Sequence, residues 1–394
     1  MTSDGIGLYL HIPFCTAKCG YCDFNSYAGH EHMIPSYGNT LLRDAALWAE
    51  AVAGRTVETV FFGGGTPSLT PVDQMAQILT GVNGVFHIAP DAEISLEANP
   101  GSLSTEYLRG LRSLGFNRLS IGVQSFDDEE LVALDRIHTG DGAREAYASA
   151  RAAGFDNVNL DFIYGLSEQR LEAWQRTLEQ ALVLAPEHLS LYALTIEEGT
   201  PLARDVARGR VRAPDPDMQA EHYEWTQDRL VRAGYEHYEI SNWARAGRRC
   251  KHNLLYWQNR EYLGLGAGAH SFLNGVRFST VLLPNRYTEL VDETVASRKA
   301  GGTAMLHVHG AEEITSELSM SDTLILGLRL IEGIDLGAFD RRHGRSVDER
   351  HGPVFEEFVG YGLLERTATH LRLTARGRLL SNELFQRLLP QPVA

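Results

Sequence analysis

Cys15-Thr16-Ala17-Lys18-Cys19-Gly20-Tyr21-Cys22 gathers three of the chain's four cysteines into eight residues. Gly20 lets the backbone turn tightly between the second and third. Three thiolates on one short loop repel one another unless a positive centre sits among them, and in a reducing compartment that centre is a metal. A structural zinc site takes four closed ligands, usually as two separated pairs. Here there are three cysteines and no partner pair, although His11 is a possible fourth ligand, so zinc stays open. Three thiolates also suit three irons of a cubane iron–sulfur cluster, leaving the fourth iron exposed to a ligand. A disulfide with a spare thiol is the remaining reading, and no sign of export favours it.

The rest of the chain frames that loop. At 394 residues, one large domain with a smaller companion is expected. Lys and Arg total 36 against 51 Asp and Glu, a formal charge of −15. Such a balance speaks against broad binding to nucleic acid or an anionic membrane, although Arg245 to Lys251 form a local basic run. No apolar run is long enough to cross a bilayer and no secretory pattern precedes the cysteines, so the expected location is cytoplasmic.

Working outward, short apolar runs alternate with helical patterns. Strands are expected over 8–11, 57–62, 93–97, 118–123, 158–163 and 188–194. Helices are expected over 41–53, 105–114, 143–153 and 171–184, the third stopped at Gly154 and the last before Pro186. Strand and helix in series predict parallel pairing through crossovers. Six units fit a partial (β/α)6 barrel, an α/β fold, better than a closed eightfold one. In parallel barrels chemistry gathers at the C-terminal strand ends. There lie the cysteine loop, Gly63 to Thr66, Glu97, Gln124, Asp161 and Ala193 to Thr195. Gly63-Gly64-Gly65 is neither a Walker A loop nor a dinucleotide fingerprint. Three glycines there let backbone come close to a ligand.

Beyond the sixth strand, a helix over 217–233 is capped by Gly234, and 235–240 reads as a strand flanking the barrel. Cys250-Lys251-His252-Asn253-Leu254-Leu255-Tyr256-Trp257 follows, then Gly266 to His270. Imidazole beside aromatic rings suits a haem iron or a stacked macrocycle. From about Gly310 the pattern is a small α-rich module, with helices over 321–330 and 354–361, a short strand at 371–374 and a helix over 377–388. That order is winged-helix-like, and the acidic charge sets nucleic acid aside. The expected domains are 1–240 (the barrel with its cluster), 241–309 (the His-Asn-Leu-Leu-Tyr-Trp region and a connecting segment) and 310–394 (the helical C-terminal module).

The run Leu8-Tyr9-Leu10-His11-Ile12-Pro13-Phe14-Cys15, with Cys19 and Cys22, resembles the radical S-adenosylmethionine superfamily, and within it the coproporphyrinogen dehydrogenase-like branch. The resemblance spans nearly the whole chain. It implies that Cys15, Cys19 and Cys22 hold a [4Fe–4S] cluster whose open iron takes the amino and carboxyl groups of S-adenosylmethionine, which an electron from the cluster can cleave to a 5′-deoxyadenosyl radical. It implies cofactor contacts at Tyr9, Tyr21, Gly64, Gly65, Thr66, Glu97, Gln124, Arg136, Asp161 and Ala193, shared between one or two cofactor molecules.

Two subfamilies compete, the oxygen-independent coproporphyrinogen III dehydrogenases and the haem chaperones. The dehydrogenases carry a further cysteine two places after the third ligand, where this chain has Phe24. The His252-Asn253-Leu254-Leu255-Tyr256-Trp257 run looks like the chaperones' haem-binding motif, and with it the expectation is a haem chaperone. His252 is then the expected iron ligand, with Tyr256 and Trp257 as apolar cover and His270 as a second candidate. The implied partners are haem, a haem-acceptor protein and, if radical chemistry occurs, an electron donor. A zinc-stabilised barrel binding an unrelated ligand is the contrasting reading.

Overall fold

A computed structural model describes residues 5–390. The barrel strands are β1 (Gly5–Ile12), β2 (Thr56–Gly64), β3 (His87–Ala98), β4 (Arg118–Gln124), β5 (Val158–Tyr164) and β6 (His188–Ala193), all pairing in parallel in sequence order. Between them lie helices α1 (Ile34–Leu47), α2 (Val72–Val85), α3 (Thr105–Ser113), α4 (Asp128–Ala133), α5 (Gly140–Ala152) and α6 (Leu171–Leu184). The expected α/β barrel segment is therefore present. Alternation along each strand divides its side chains. Leu8, Leu10, Val60, Phe62, Leu96, Leu119, Ile121, Leu160 and Phe162 are buried in one core with Leu41, Ile78, Leu108 and Trp174 of the helices. Each fully buried side chain of this size stabilises the fold by about 1.5–3 kcal/mol. The alternate residues make the other face polar: Thr59, Glu93, Ser95, Arg118, Ser120, Asn159, His188 and Ser190 are all buried.

Several helices depart from the expected set, which also lacked α2. α1 begins at Ile34 rather than Leu41, with Pro35 in its first turn where a missing N–H is harmless. α4, absent from the sequence reading, is one short helix capped by the Asp127 carboxylate, which accepts from Glu129 N and Glu130 N. The final helix is two, Ala375–Leu379 and Ser381–Leu388.

After α7 (Pro201–Ala207) and α8 (Pro216–Arg232), the sheet grows at both edges. On one side β7 (Glu236–Glu239) pairs antiparallel with β8 (Asn242–Ala244), which adds antiparallel to β6. On the other, β9 (Tyr262–Leu265) adds parallel to β1, and β10 (His270–Leu273), β11 (Val276–Thr280) and β12 (Val308–Glu313) follow antiparallel. The segment 241–309 thus continues the same sheet, which has twelve strands among the described residues. α9 (Lys251–Trp257) precedes β9, and α10 (Pro284–Lys299) packs on α1.

The C-terminal module has its own core of Met320, Leu324, Phe339, Phe355, Phe358, Leu371 and Leu384. It holds α11 (Ser316–Gly327), α12 (Leu336–His343), α13 (Asp348–Gly360) and a three-stranded ribbon. α11 starts five residues before the expected position because Thr315 caps it, its hydroxyl accepting from Leu318 N. The first and last four residues of the expected domain bounds lie outside the described residues.

Candidate cofactor cavity and its aromatic neighbour

The cysteine loop leaves the C-terminal end of β1 and is closed at its base where Phe14–Cys15 pair with Tyr27–Ala28. Lys18 Nζ staples it, donating to Phe24 O (3.0 Å) and Ser26 O (3.2 Å). Cys22 N donates to Cys19 O (3.1 Å), closing a turn through Gly20 and Tyr21. A Cβ at Gly20 would lie 2.4 Å from the Asp135 carboxylate. Burial pushes the Cys22 thiol up, with a backbone hydrogen bond and Lys18 opposing and the neighbouring Cys19 and Cys15 adding to the rise. Thr66 Oγ1 lies 3.5 Å from Cys15 Sγ, and Arg136 Nη1 lies 3.5 Å from Cys19 Sγ. All three thiols line one cavity of about 330 Å³.

His11 does not join them. Its Nδ1 bonds Tyr9 OH (2.9 Å) and its Nε2 bonds Asn25 O (2.8 Å). The ring lies beneath Gly64, where a Cβ would come within 2.5 Å of it. A zinc site completed by His11 is therefore not what this geometry offers. The donor set is three sulfurs beside an open cavity, which fits a cluster with one free iron.

The same cavity gathers Tyr21, Gly64, Gly65, Thr66, Glu97, Gln124, Arg136, Asp161 and Ala193. Tyr9, the tenth expected contact, lines the adjoining cavity instead. The glycine loop comes very close to the cysteine segment: a Cβ at Gly65 would lie 2.6 Å from Phe14 O and 2.9 Å from Phe14 N. Gly64 N donates to the Glu97 carboxylate (3.0 Å), Gly65 N to Ile12 O (2.9 Å) and Thr66 N to Phe14 O (2.7 Å). The loop's N–H groups are thus engaged within the protein, and it is suited to receive a ligand's donor rather than its acceptor. An ammonium group has that chemistry.

Glu97 fits the same kind of ligand. Burial, then the nearby Asp161 carboxylate, pushes it up to about 7, with the Gly64 N–H and Arg118 opposing. Asp161 is also raised by burial, against hydrogen bonds from Ser120, Asn159 and Ser190. Two acids held at strain in one cavity are eased by a cationic ligand. Arg136 supplies the opposite charge. Its Nη2 donates to Gly122 O (2.9 Å), while its Nε is buried with no hydrogen-bond partner. Gln124 takes the left-handed region (φ 66°) at the end of β4, a strained position of the kind that collects at sites. Thr195, named at the strand-end rim, lines the cavity too, and so do Ser120, Tyr192 and Glu197, which the sequence reading did not single out. For Tyr192 a signal existed, since it shares a strand face with His188 and Ser190.

The His-Asn-Leu-Leu-Tyr-Trp run is α9, laid against the polar face of the sheet. Glu93 of β3 meets its start, accepting from Lys251 N (3.1 Å) and His252 N (3.1 Å) and lying 3.5 Å from Cys250 Sγ. Arg342 of α12 meets its end, donating to Gln258 O (3.0 Å) and Asn259 O (2.6 Å). An anion at the start and a cation at the end both suit the helix dipole. His252 is 2 % exposed. Its Nδ1 bonds Thr59 Oγ1 (2.7 Å) and its Nε2 bonds Tyr256 OH (2.8 Å). The ring stacks on Phe61 at 5.0 Å, and burial pushes its pKa down to about 3. Both ring nitrogens of His252 are thus engaged within the protein in this conformation.

Tyr256 and Trp257 reach a second cavity of about 720 Å³, between the sheet and α11 of the C-terminal module. Tyr9, Tyr262 and Phe272 line it as well, and so does His270, whose side chain is exposed on it. The two cavities share Asp23, Phe24, Gly64 and Glu97. Asn25 joins the cysteine loop to the glycine turn that leads into His270, its Nδ2 donating to Ala267 O (2.9 Å) and Leu282 O (3.0 Å). No described helix is long and apolar enough to cross a membrane.

Comparison with known proteins places these cavities in context. Residues 9–181 match the model of the radical SAM superfamily, and residues 314–380 match the HemN C-terminal domain. The chain is 39% identical to the heme chaperone HemW of Mycobacterium tuberculosis over 392 residues, covering 99% of this chain and 96% of that one. It is 35% identical to the heme chaperone HemW of Escherichia coli over 391 residues, covering 98% of each. The solved coproporphyrinogen III oxidase (HemN) of Escherichia coli superposes with a TM-score of 0.84 at 24% identity, covering 98% of this chain and 90% of that chain.

Proposed function

Because the chain belongs to the HemW family, we propose that it is a haem chaperone that binds haem in the larger, aromatic cavity and passes it to an acceptor protein. Cys15, Cys19 and Cys22 would hold a [4Fe–4S] cluster. When bound, that cluster supplies a Lewis-acidic open iron and a one-electron redox centre. Around it, the acceptor-rich glycine loop and Glu97 suit the ammonium and sulfonium charges of S-adenosylmethionine, and Arg136 suits its carboxylate. Asp161, Tyr21, Gln124 and Ala193 complete that cavity.

The observation that carries the haem reading is the aromatic cavity itself. At about 720 Å³ it falls in the ~300–1,000 Å³ range of small-molecule sites. Aromatic rings give a macrocycle apolar cover, and of the two histidines in the lining His270 is exposed while His11 is buried with both nitrogens bonded. Of the two histidines expected to meet haem, His270 is the better placed to ligate iron. His252, fixed between Thr59 and Tyr256, acts by holding Tyr256 in the wall. A cytoplasmic setting, an acceptor protein and an electron donor for the cluster belong to the same reading.

The runner-up is radical decarboxylation of coproporphyrinogen III. Its support is the superposition on the oxidase and the intact cluster cavity, and against it stands Phe24 in place of a cysteine. The test is haem titration of cluster-replete protein beside a decarboxylation assay. One haem per chain with no decarboxylation supports the chaperone. Robust decarboxylation restores the enzyme.

A further inference from the structure

β10 and β11 form an antiparallel ribbon whose register fixes more than an iron ligand. Phe272 pairs with Arg277 and with Tyr262, and His270 pairs with Ser279. Directly paired residues share a face, as do residues two apart along a strand. His270, Phe272, Tyr262 and Arg277 therefore lie on one face, and all four line the aromatic cavity. One repeat along the ribbon (about 7 Å) and one step across it (about 5 Å) separate the backbones of His270 and Arg277. Phe272 sits at the corner next to both, and Tyr262 flanks Phe272 on the side away from Arg277. An imidazole, aromatic side chains and a guanidinium on one face match iron, ring and carboxylate in haem.

Arg277 is also built to meet a carboxylate there. Its Nη2 bonds Asp322 of α11, which anchors the guanidinium where the sheet meets the C-terminal module. Its Nη1 makes only a long contact with Glu312 (3.7 Å), a half-exposed carboxylate. Exposed ion pairs of that kind contribute little, whereas a guanidinium holds a carboxylate by two parallel hydrogen bonds when geometry allows. The buried side of the fork can therefore stay on Asp322 while the other side changes partner.

We propose that Arg277 is the haem-propionate anchor of this cavity, exchanging Glu312 for a propionate while Asp322 keeps the guanidinium in place. This inference rests on the haem reading above and specifies how the cavity tells a porphyrin carboxylate from a bare apolar ring. The arrangement asks for at least one free propionate on the ligand and a C-terminal module docked as it is here.

The experiment compares haem with its propionate dimethyl ester, each titrated into cluster-replete wild-type protein and into Arg277→Gln. The expected result is that the wild type binds the diester at least about tenfold more weakly than haem. Arg277→Gln should bring haem down to the diester's affinity and leave the diester unchanged. Cluster absorbance and circular dichroism of the variant check that it is folded, and the wild-type comparison of the two ligands needs no variant. Equal wild-type affinity for both ligands overturns the inference while leaving the haem site standing. So does full discrimination by a folded Arg277→Gln. A wild type that binds neither ligand overturns the haem reading and this inference with it.

Discussion

Glu97→Gln removes one charge from the cofactor cavity and keeps the acceptor that receives Gly64 N–H. The wild-type carboxyl is pushed from the usual 4.5 up to about 7, chiefly by burial and secondly by Asp161. The folded chain therefore keeps this proton where the unfolded chain has lost it. Stability falls as pH rises from about 4.5 to about 7, then levels. At about 1.4 kcal/mol for each pH unit, ionised Glu97 costs the folded chain about 3 kcal/mol above neutrality. The variant escapes this. Without cofactor it should melt a few degrees higher than the wild type at pH 8 and within about a degree of it at pH 5, read by calorimetry. S-adenosylmethionine should reverse the order. Its positive charges favour the ionised acid, so wild-type affinity should rise from pH 5.5 to 7.5, while the variant binds weakly with a flat profile. Parallel pH curves for the two proteins, in stability and in binding, would refute the reasoning.

Other expectations follow from the same geometry. Cys15→Ala, Cys19→Ala and Cys22→Ala should each abolish iron content and visible absorption after anaerobic reconstitution, whereas Cys250→Ala should keep both. Loss of iron in Cys250→Ala alone would contradict the assignment. Gly65→Ala places a methyl against the Phe14 backbone, which cannot turn aside as a side chain can. Overpacking of this kind costs about 1–3 kcal/mol, and reconstituted cluster per chain should fall with it. Glu93→Ala strips the start of α9 of its acceptor and leaves Lys251 N and His252 N unpaired, a loss of about 1–3 kcal/mol. Haem titration should weaken in this variant while iron content holds. Iron loss with normal haem binding would reverse the assignment of the two cavities.

How much of this could be read from sequence depends on what each segment buries. The six parallel strands were readable because their apolar residues meet helices and repeat without interruption. Nine of the ten expected cofactor contacts meet in one cavity because strand ends in a parallel barrel converge. Of the wings only β7, expected over 235–240, was readable. β8 has three residues, β9 and β10 have four each, and glycines 264, 266 and 268 break any period there. β12 is exposed along almost its whole length and carries no apolar pattern. His252 illustrates a different limit. Its place in a motif pointed to a ligand, but only the fold brings Thr59, 193 residues away, onto its Nδ1. His270 drew less notice because, apart from Phe272, the aromatic residues that line the cavity with it arrive from β1, α9 and β9 rather than from its own segment.

The central claim is that the larger, aromatic cavity takes haem, with iron on His270. The most direct measurement is the visible spectrum of haem titrated into His270→Ala and His252→Ala at matched cluster content. The account predicts that His270→Ala loses the ligated Soret band. His252→Ala should keep that band with weakened affinity, because Tyr256 loses its partner. An unchanged band and stoichiometry in His270→Ala, with loss in His252→Ala, would contradict it.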